Sequence, residues 1–405
     1  MNRIALVLAV VLGISAVTSV SVADEPKVSN ALAKPLKAAN DAMQAKKYDE
    51  VLTKTREAAA LSPKTAYDEY VIHYMQMVAY SAKGDNAQTM ATAESIVASP
   101  YLQASAKPQI LRTLMGLNYQ EKNYDNAIKY GEQAIAAGDT NPDTKQFISQ
   151  AYFLSGKCKD ALTSMQALIA RDEQAGRKPS ENNLKLIWQC AIKVKDDGAA
   201  SRAVEKLILH YPKPDYWLTA MNPFLSGASG NDDRLKLLTY RLESQVGILK
   251  RGADYRDMAL IALDQGNPGE AQSILKQAFD KNLYTDKHEI ESNKRLLDTA
   301  TKRAGDDRAS MAKEEKLANA ATTGDPLVQI GAAYLGFGEA DKALASINAG
   351  IAKGNLKHPD EAYILLGIVQ NRAKNSAEAV KAFNKATVNP KYAQLAKLWA
   401  LEARS

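Results

Sequence analysis

The chain has 405 residues and a formal net charge of +6, with 46% hydrophobic and 24% charged residues. Its length suggests two or three domains, and its basic excess is spread along the chain rather than gathered in a stripe, which argues against nucleic-acid binding. Only six Phe and three Trp, in a chain rich in Ala, Lys, Gln and Leu, favour helix, and no alternating Val/Ile/Thr run supports a sheet.

The first element is a targeting segment. Met1-Asn2-Arg3 carries one positive charge, Ile4 to Ile14 is continuously apolar, and small residues lead to Ser21-Val22-Ala23 before Asp24-Glu25-Pro26. This is the pattern of a secretory signal peptide over 1–23, cleaved after about Ala23. The apolar run is short for a transmembrane span, although an uncleaved anchor is the alternative reading. No cysteine flanks the cleavage site for lipid attachment, and no later stretch is apolar enough to cross a bilayer. The mature protein is expected to be exported, soluble and free of transmembrane segments.

From there one phrase recurs: a Gly or Lys, a polar residue, then a small and an apolar residue about five positions on. It reads "KKYDEVLTKT" at 46–55, "KNYDNAIKYG" at 122–131, "GKCKDALTSM" at 156–165, "GNPGEAQSIL" at 266–275, "GEADKALASI" at 338–347 and "KNSAEAVKAF" at 374–383. Weaker copies start at Gly84, Lys195, Gly230 and Gly305. The ten turns lie about 33 to 39 residues apart, the period of a helical-hairpin repeat. Amphipathic helices flank each turn. Ile330, Ala333, Tyr334 and Phe337 form one apolar stripe before the turn at 338, and Ala343, Leu344, Ile347 and Ile351 form another after it. Gly331, Ala343, Gly367 and Ala379 are small enough to let paired helix axes approach closely. Gly336-Phe337-Gly338 could pass for a phosphate loop, but that loop needs a preceding strand. Gly338 is expected to serve a turn.

"IGAAYLGFGEADKAL" and "LLGIVQNRAKNSAEAVKAF" resemble tetratricopeptide repeats, with Leu/Ile-Gly, aromatic, turn and Ala-Leu landmarks in order. The resemblance covers roughly 30–396. It implies an all-α, right-handed α-solenoid of about ten stacked hairpins, in which first helices line a concave surface that binds extended peptides or partner helices. On that face the expected partner-binding residues are Arg112, Tyr119, Gln146, Gln150, Phe153, Lys185, Gln189 and Arg256, with Gly116 and Leu263 beside them. In such a stack Cys158 opens the second helix of one repeat and Cys190 lies in the first helix of the next. An exported compartment would favour a disulfide between them; otherwise they are two small buried hydrophobes that never meet.

Two stretches interrupt the rhythm. Residues 171–181 are a polar extension, and 211–232 gather Pro212, Pro214 and Pro223 with Tyr211, Tyr216, Trp217 and Phe224. The second divides the array into 24–214 and 215–405, and is either a connection plugged by its aromatics or a binding element at a bend.

No catalytic constellation stands out in the sequence, although a glycosidase-type carboxylate pair is possible in principle. His73, His210, His288 and His358 do not pair with one another or with Cys at metal-ligand spacing, so capping or solvated roles are expected. Ser273/Lys276 and Ser310/Lys313 match Ser-x-x-Lys, but no Lys-Thr-Gly partner exists. Asp232-Asp233 and Asp306-Asp307 are expected at turns, capping the following helices. The expected function is a non-catalytic interaction scaffold without cofactor or metal. Its expected location is the periplasm of a Gram-negative envelope, since "YPKPDYW" and "DYRDMALIALDQGNPGEA" resemble exported bacterial repeat proteins. An accessory of an envelope machine is the leading role, with TonB–ExbB–ExbD-type energy transduction one candidate. The alternatives are a scaffold for exopolysaccharide export or cell-wall synthesis, or an enzyme on a helical platform.

Overall fold

Twenty helices and no strand make up the regular structure of the described residues, 26–225 and 232–404, of this computed structural model. The expected signal peptide and the turn at Gly230 lie outside those residues. The chain divides into two compact units, Met1–Gly156 and Lys157–Ser405.

Unit 1 contains α1 (Asn30–Gln44), α2 (Tyr48–Ala60), α3 (Ala66–Lys83), α4 (Asn86–Ala98), α5 (Lys107–Gln120), α6 (Tyr124–Ala136) and α7 (Pro142–Leu154). Each helix packs on the next, so the hairpins α1/α2, α3/α4 and α5/α6 form a stack with α7 at its end. Its core is a run of apolar helix faces, including Leu32, Val51, Ile72, Ile96, Leu111, Leu114, Ile128 and Ile148, all buried. Leu111 and Leu114 are fully buried and contribute roughly 2 kcal/mol each through removal from water.

Unit 2 contains α8 (Cys158–Gln174), α9 (Glu181–Lys193), α10 (Asp197–His210), α11 (Pro214–Leu225), α12 (Asp233–Gln245), α13 (Gly252–Asp264) and α14 (Pro268–Asp280). It continues with α15 (Lys287–Ala320), α16 (Asp325–Gly336), α17 (Ala340–Lys353), α18 (Pro359–Arg372), α19 (Ser376–Phe383) and α20 (Pro390–Glu402). The pairs α9/α10, α13/α14, α16/α17 and α18/α19 are hairpins of the expected kind. Helix α16 and helix α17 approach so closely that a Cβ on Gly331 would lie 2.5 Å from Ile347 Cγ1. The small residue there is required.

One turn geometry closes the hairpins. Gly338 has φ +79°, its N–H donates to Leu335 O, and the Glu339 N–H reaches back to Tyr334 O at 2.9 Å. This left-handed C-terminal cap satisfies carbonyls that the ending helix would leave open. Lys374 does the same with φ +62°, and Asn375 N–H reaches Gln370 O at 2.9 Å. Positive φ also occurs at the expected turns 46, 84, 122, 156, 195 and 266. The Gly or Lys of the recurring phrase is therefore the left-handed residue, and the polar residue after it heads the next helix.

Gly305 departs from this pattern. It was expected at a turn with Asp306-Asp307, but all three lie inside α15, a continuous 34-residue helix. The stretch contains no proline, and buried Ala300, Ala304, Met311 and Ala318 run down one side of it. A single interior glycine costs about 1 kcal/mol, too little to break a helix anchored at both ends: α15 packs on α14 and on α16. Asp232, by contrast, caps α12 as expected, accepting from the N–H groups of Arg234 and Leu235.

The proline-rich stretch is largely helical. Pro214 occupies the first turn of α11, where its missing N–H is no loss, and Tyr216, Trp217 and Phe224 are buried. The Tyr211 hydroxyl donates to Pro179 O at 2.8 Å. These aromatics are packed into the fold. The expected division at 214/215 falls inside unit 2, because α10 packs on both α11 and α20.

Unit 2 also curls back on itself. Helix α12 packs on α18 and α20, and side chains distant in sequence tie the contact. Arg234 Nη1 lies 2.8 Å from Glu361 Oε2, Tyr392 donates to Asp232 at 3.1 Å, and Gln245 Nε2 donates to Glu402 Oε1 at 3.0 Å.

Candidate functional site

The first helices of unit 1 carry an aromatic face. Helix α3 starts from a reciprocal cap: the Thr65 hydroxyl accepts from Asp68 N–H at 3.1 Å, and Asp68 accepts from Thr65 N–H at 2.8 Å. The same buried carboxylate takes the Ser29 N–H at 2.9 Å, which joins the start of α1 to the start of α3. Burial works to raise the Asp68 pKa, but the N–H groups of Thr65 and Ser29 outweigh it and hold the carboxyl below its ordinary value.

From that cap, Tyr67, Tyr70 and Tyr74 recur at helical spacing along α3, so their rings share one side of it. Tyr67 and Tyr70 stack at 6.1 Å, Tyr101 meets Tyr67 edge-on at 5.2 Å, and Tyr70 lies 6.4 Å from Tyr74. Further along the unit, Tyr119 of α5 meets Phe147 of α7 edge-on at 5.3 Å and donates its hydroxyl to Gln150 Oε1 at 3.2 Å. All of these rings are half-buried, and Tyr70, Tyr74, Tyr119 and Phe147 pack against the core. Burial raises the phenol pKa values of Tyr70, Tyr74 and Tyr119, with smaller contributions from neighbouring tyrosines. They therefore stay neutral donors at physiological pH. Among the described residues, the Tyr70 and Tyr74 hydroxyls make no hydrogen bond.

The expected partner-binding residues fall into two groups. Tyr119, Gln146, Gln150 and Phe153 lie on α5 and α7, half-buried and adjacent to the aromatic face. The cations are committed internally. Arg112 pairs with Asp139 at 2.7 Å, where the Asp139 side chain is only 2% exposed. Lys185 sits 3.5 Å from Glu181, and Arg256 donates to Ser292 Oγ and Asn293 Oδ1 at 3.1 and 2.8 Å. Gln189 is exposed on α9, and Lys185, Gln189 and Arg256 all belong to unit 2. Sequence reasoning missed Tyr67, Tyr70, Tyr74 and Tyr101, although the i, i+3, i+7 spacing of the first three was there to be read.

The cysteines meet. Cys158 and Cys190 are both buried free thiols, and they lie close enough to act on each other. Burial, then the contact with Cys158, pushes the Cys190 thiol up to about 12. No cluster of His, Cys, Asp and Glu among the described residues could hold a metal ion. None of the described helices is long and apolar enough to cross a membrane.

Stacked hairpins joined by left-handed caps, with small residues where the helix axes meet, define a helical-repeat protein. Residues 328–395 match the family model of the tetratricopeptide repeat, TPR_16, which covers the hairpins around the turns at Gly338 and Lys374. No curated protein matches the chain. Among solved structures, it is similar to a tetratricopeptide repeat protein from Parabacteroides merdae ATCC 43184. The two are 13% identical, with 82% of this chain and 98% of that one covered and a TM-score of 0.28. It is also similar to yeast Tom70 (13% identity, 92% and 95% covered, TM-score 0.27). A third is the TPR2AB domain of yeast Sti1 in its pHSP90 complex (13% identity, 74% and 100% covered, TM-score 0.25).

Proposed function

We propose that the protein is a non-catalytic scaffold that binds a protein or peptide segment on the first-helix face of unit 1. The observation that carries this reading is the half-buried aromatic face of α3, α5 and α7. Two of its tyrosine hydroxyls have no acceptor among the described residues, and amides of α7 lie beside it. Rings supply apolar contact at little entropic cost, and hydroxyls and amides supply hydrogen bonds to a peptide backbone. The tetratricopeptide match supports the same reading, since proteins of this kind bind protein or peptide partners. The N-terminal sequence pattern supports export to a periplasm, and the working assignment is an accessory of an envelope machine, with TonB–ExbB–ExbD-type energy transduction one candidate. Export would also allow Cys158 and Cys190 to be joined.

The test is photo-crosslinking in intact cells, with a benzophenone amino acid at Tyr70, at Gln150 and, as a control, at Lys129 on α6. Mass spectrometry should recover the same partner from the first two positions and not from the third. Equal capture from all three, or capture from Lys129 alone, would remove the face from consideration. Fractionation of the same cells tests the compartment: full recovery with cytosolic markers would rule out export.

A further inference from the structure

Unit 2 contains a recess that hairpin packing does not account for. Five helices converge on it, α12, α13, α14, α16 and α18, leaving a cavity of about 290 Å³. Three charged side chains line it. Arg241 and Glu270 form a two-point ion pair, Nε to Oε1 at 2.7 Å and Nη2 to Oε2 at 2.6 Å. The pair is deeply buried, with side chains 3% and 11% exposed. It occupies both carboxylate oxygens and cancels one guanidinium charge.

Arg372, the last residue of α18, brings a second guanidinium to the same space. It is solvent-accessible. Among the described residues it has no ion pair, and its one hydrogen bond is a long 3.4 Å contact to Leu335 O. Loss of hydration around the guanidinium lowers its pKa below the ordinary value, Glu270 opposes that shift, and Arg241 adds a smaller push in the same direction.

We infer that this recess binds a small hydroxycarboxylate. Two guanidinium groups against one carboxylate leave one positive charge, which a single carboxylate matches. The planar fork of Arg372 can take such a group through two parallel hydrogen bonds. Ser244, Ser273 and Gln277 line the same space and can exchange hydrogen bonds with hydroxyl groups on the ligand body. Inorganic phosphate carries more charge and offers these side chains no such body. Glycerol has the body without the charge.

The experiment titrates the full-length mature protein with lactate, gluconate, inorganic phosphate and glycerol by calorimetry. Lactate or gluconate should bind, phosphate at least tenfold more weakly, and glycerol not at all. Arg372→Gln should reduce the carboxylate affinity at least tenfold while leaving the circular dichroism spectrum unchanged. Should that variant fail to fold, Gln277→Glu places a negative charge in the recess without touching Arg372, and must weaken binding as well. The inference is overturned if neither carboxylate binds at about 10 mM, if phosphate binds as tightly, or if binding survives in the folded variants.

Discussion

At the scale of single residues, the recurring phrase was legible because it encodes backbone geometry. Lys46, Lys122, Lys195 and Lys374 hold φ between +57° and +62°, positions that Gly84, Gly156, Gly266 and Gly338 also fill. A left-handed non-glycine residue is strained by about 1–2 kcal/mol. Lys374→Gly should therefore stabilise the protein by about 1 kcal/mol, and Gly338→Val should destabilise it by at least about 1 kcal/mol. Both are measured by thermal or urea unfolding, and equal small effects would mean that the turn geometry is unimportant. Glu243 was not legible, because its environment is assembled by tertiary packing. It is buried on α12 with Oε1 unpartnered. Burial, reinforced by Asp254 and opposed by Arg251, pushes its pKa up to about 7. Its folded value lies above its unfolded value, so the protonated form favours folding. That contribution is complete below about pH 4.5 and is lost as pH rises through about 7, an effect of about 3 kcal/mol. Glu243→Gln should flatten this dependence and raise the melting temperature at pH 8 relative to wild type. An unchanged pH profile would show that the carboxyl is not the titrating group.

At the scale of elements, the hairpins followed from period and small-residue placement, whereas α15 did not. Gly305-Asp306-Asp307 reads locally as a turn, yet the buried face from Ala300 to Ala318 continues through it. Tertiary contacts at both ends decide such a case. A Cβ at Gly305 would meet nothing within 4 Å, so Gly305→Ala should raise stability by about 0.5–1 kcal/mol. A loss instead would mean that the helix must bend there. The pairing of α8 with α9 carries a second expectation. Burial keeps Cys190 almost entirely a thiol, and a thiol is a poor nucleophile. Oxidation should therefore occur before α8 and α9 finish packing. A disulfide-bearing oxidant would accept two electrons and become a dithiol, while the two cysteines lose their protons and join. Closing that loop of about 30 residues would stabilise by roughly 3–4 kcal/mol in the chain-entropy model. Non-reducing peptide mapping of exported material should recover Cys158 linked to Cys190, and full labelling of both thiols after denaturation would exclude the bond.

At the scale of the whole molecule, the sequence reading anticipated repeats but not closure within unit 2. Arg234–Glu361 and Tyr392–Asp232 join residues 127 and 160 positions apart, and no local periodicity announces a pairing at that distance. The same distance problem hid the fate of the cations. Arg112 and Lys185 sit on first helices and looked free to meet an acidic partner, but each already has an internal carboxylate. The two cations expected to draw an acidic partner are therefore already matched by carboxylates of this chain. Binding on the α3–α5–α7 face should rest on rings and neutral hydrogen bonds, which salt hardly screens, rather than on charges, which it does. Once a partner has been captured by crosslinking, its dissociation constant should change less than about threefold between 0.05 and 0.5 M salt. Tyr70→Ala together with Tyr74→Ala should weaken it by about tenfold or more, as expected when aromatic anchors are removed from an interface. Arg112→Gln should act differently: it leaves the nearly buried Asp139 without its cation, so it should lower stability by about 1–3 kcal/mol and leave affinity close to wild type. A steep loss of affinity with salt, or a loss on Arg112→Gln larger than that of the tyrosine pair, would mean that the partner is held by charge and that the aromatic face is only the outer layer of the core.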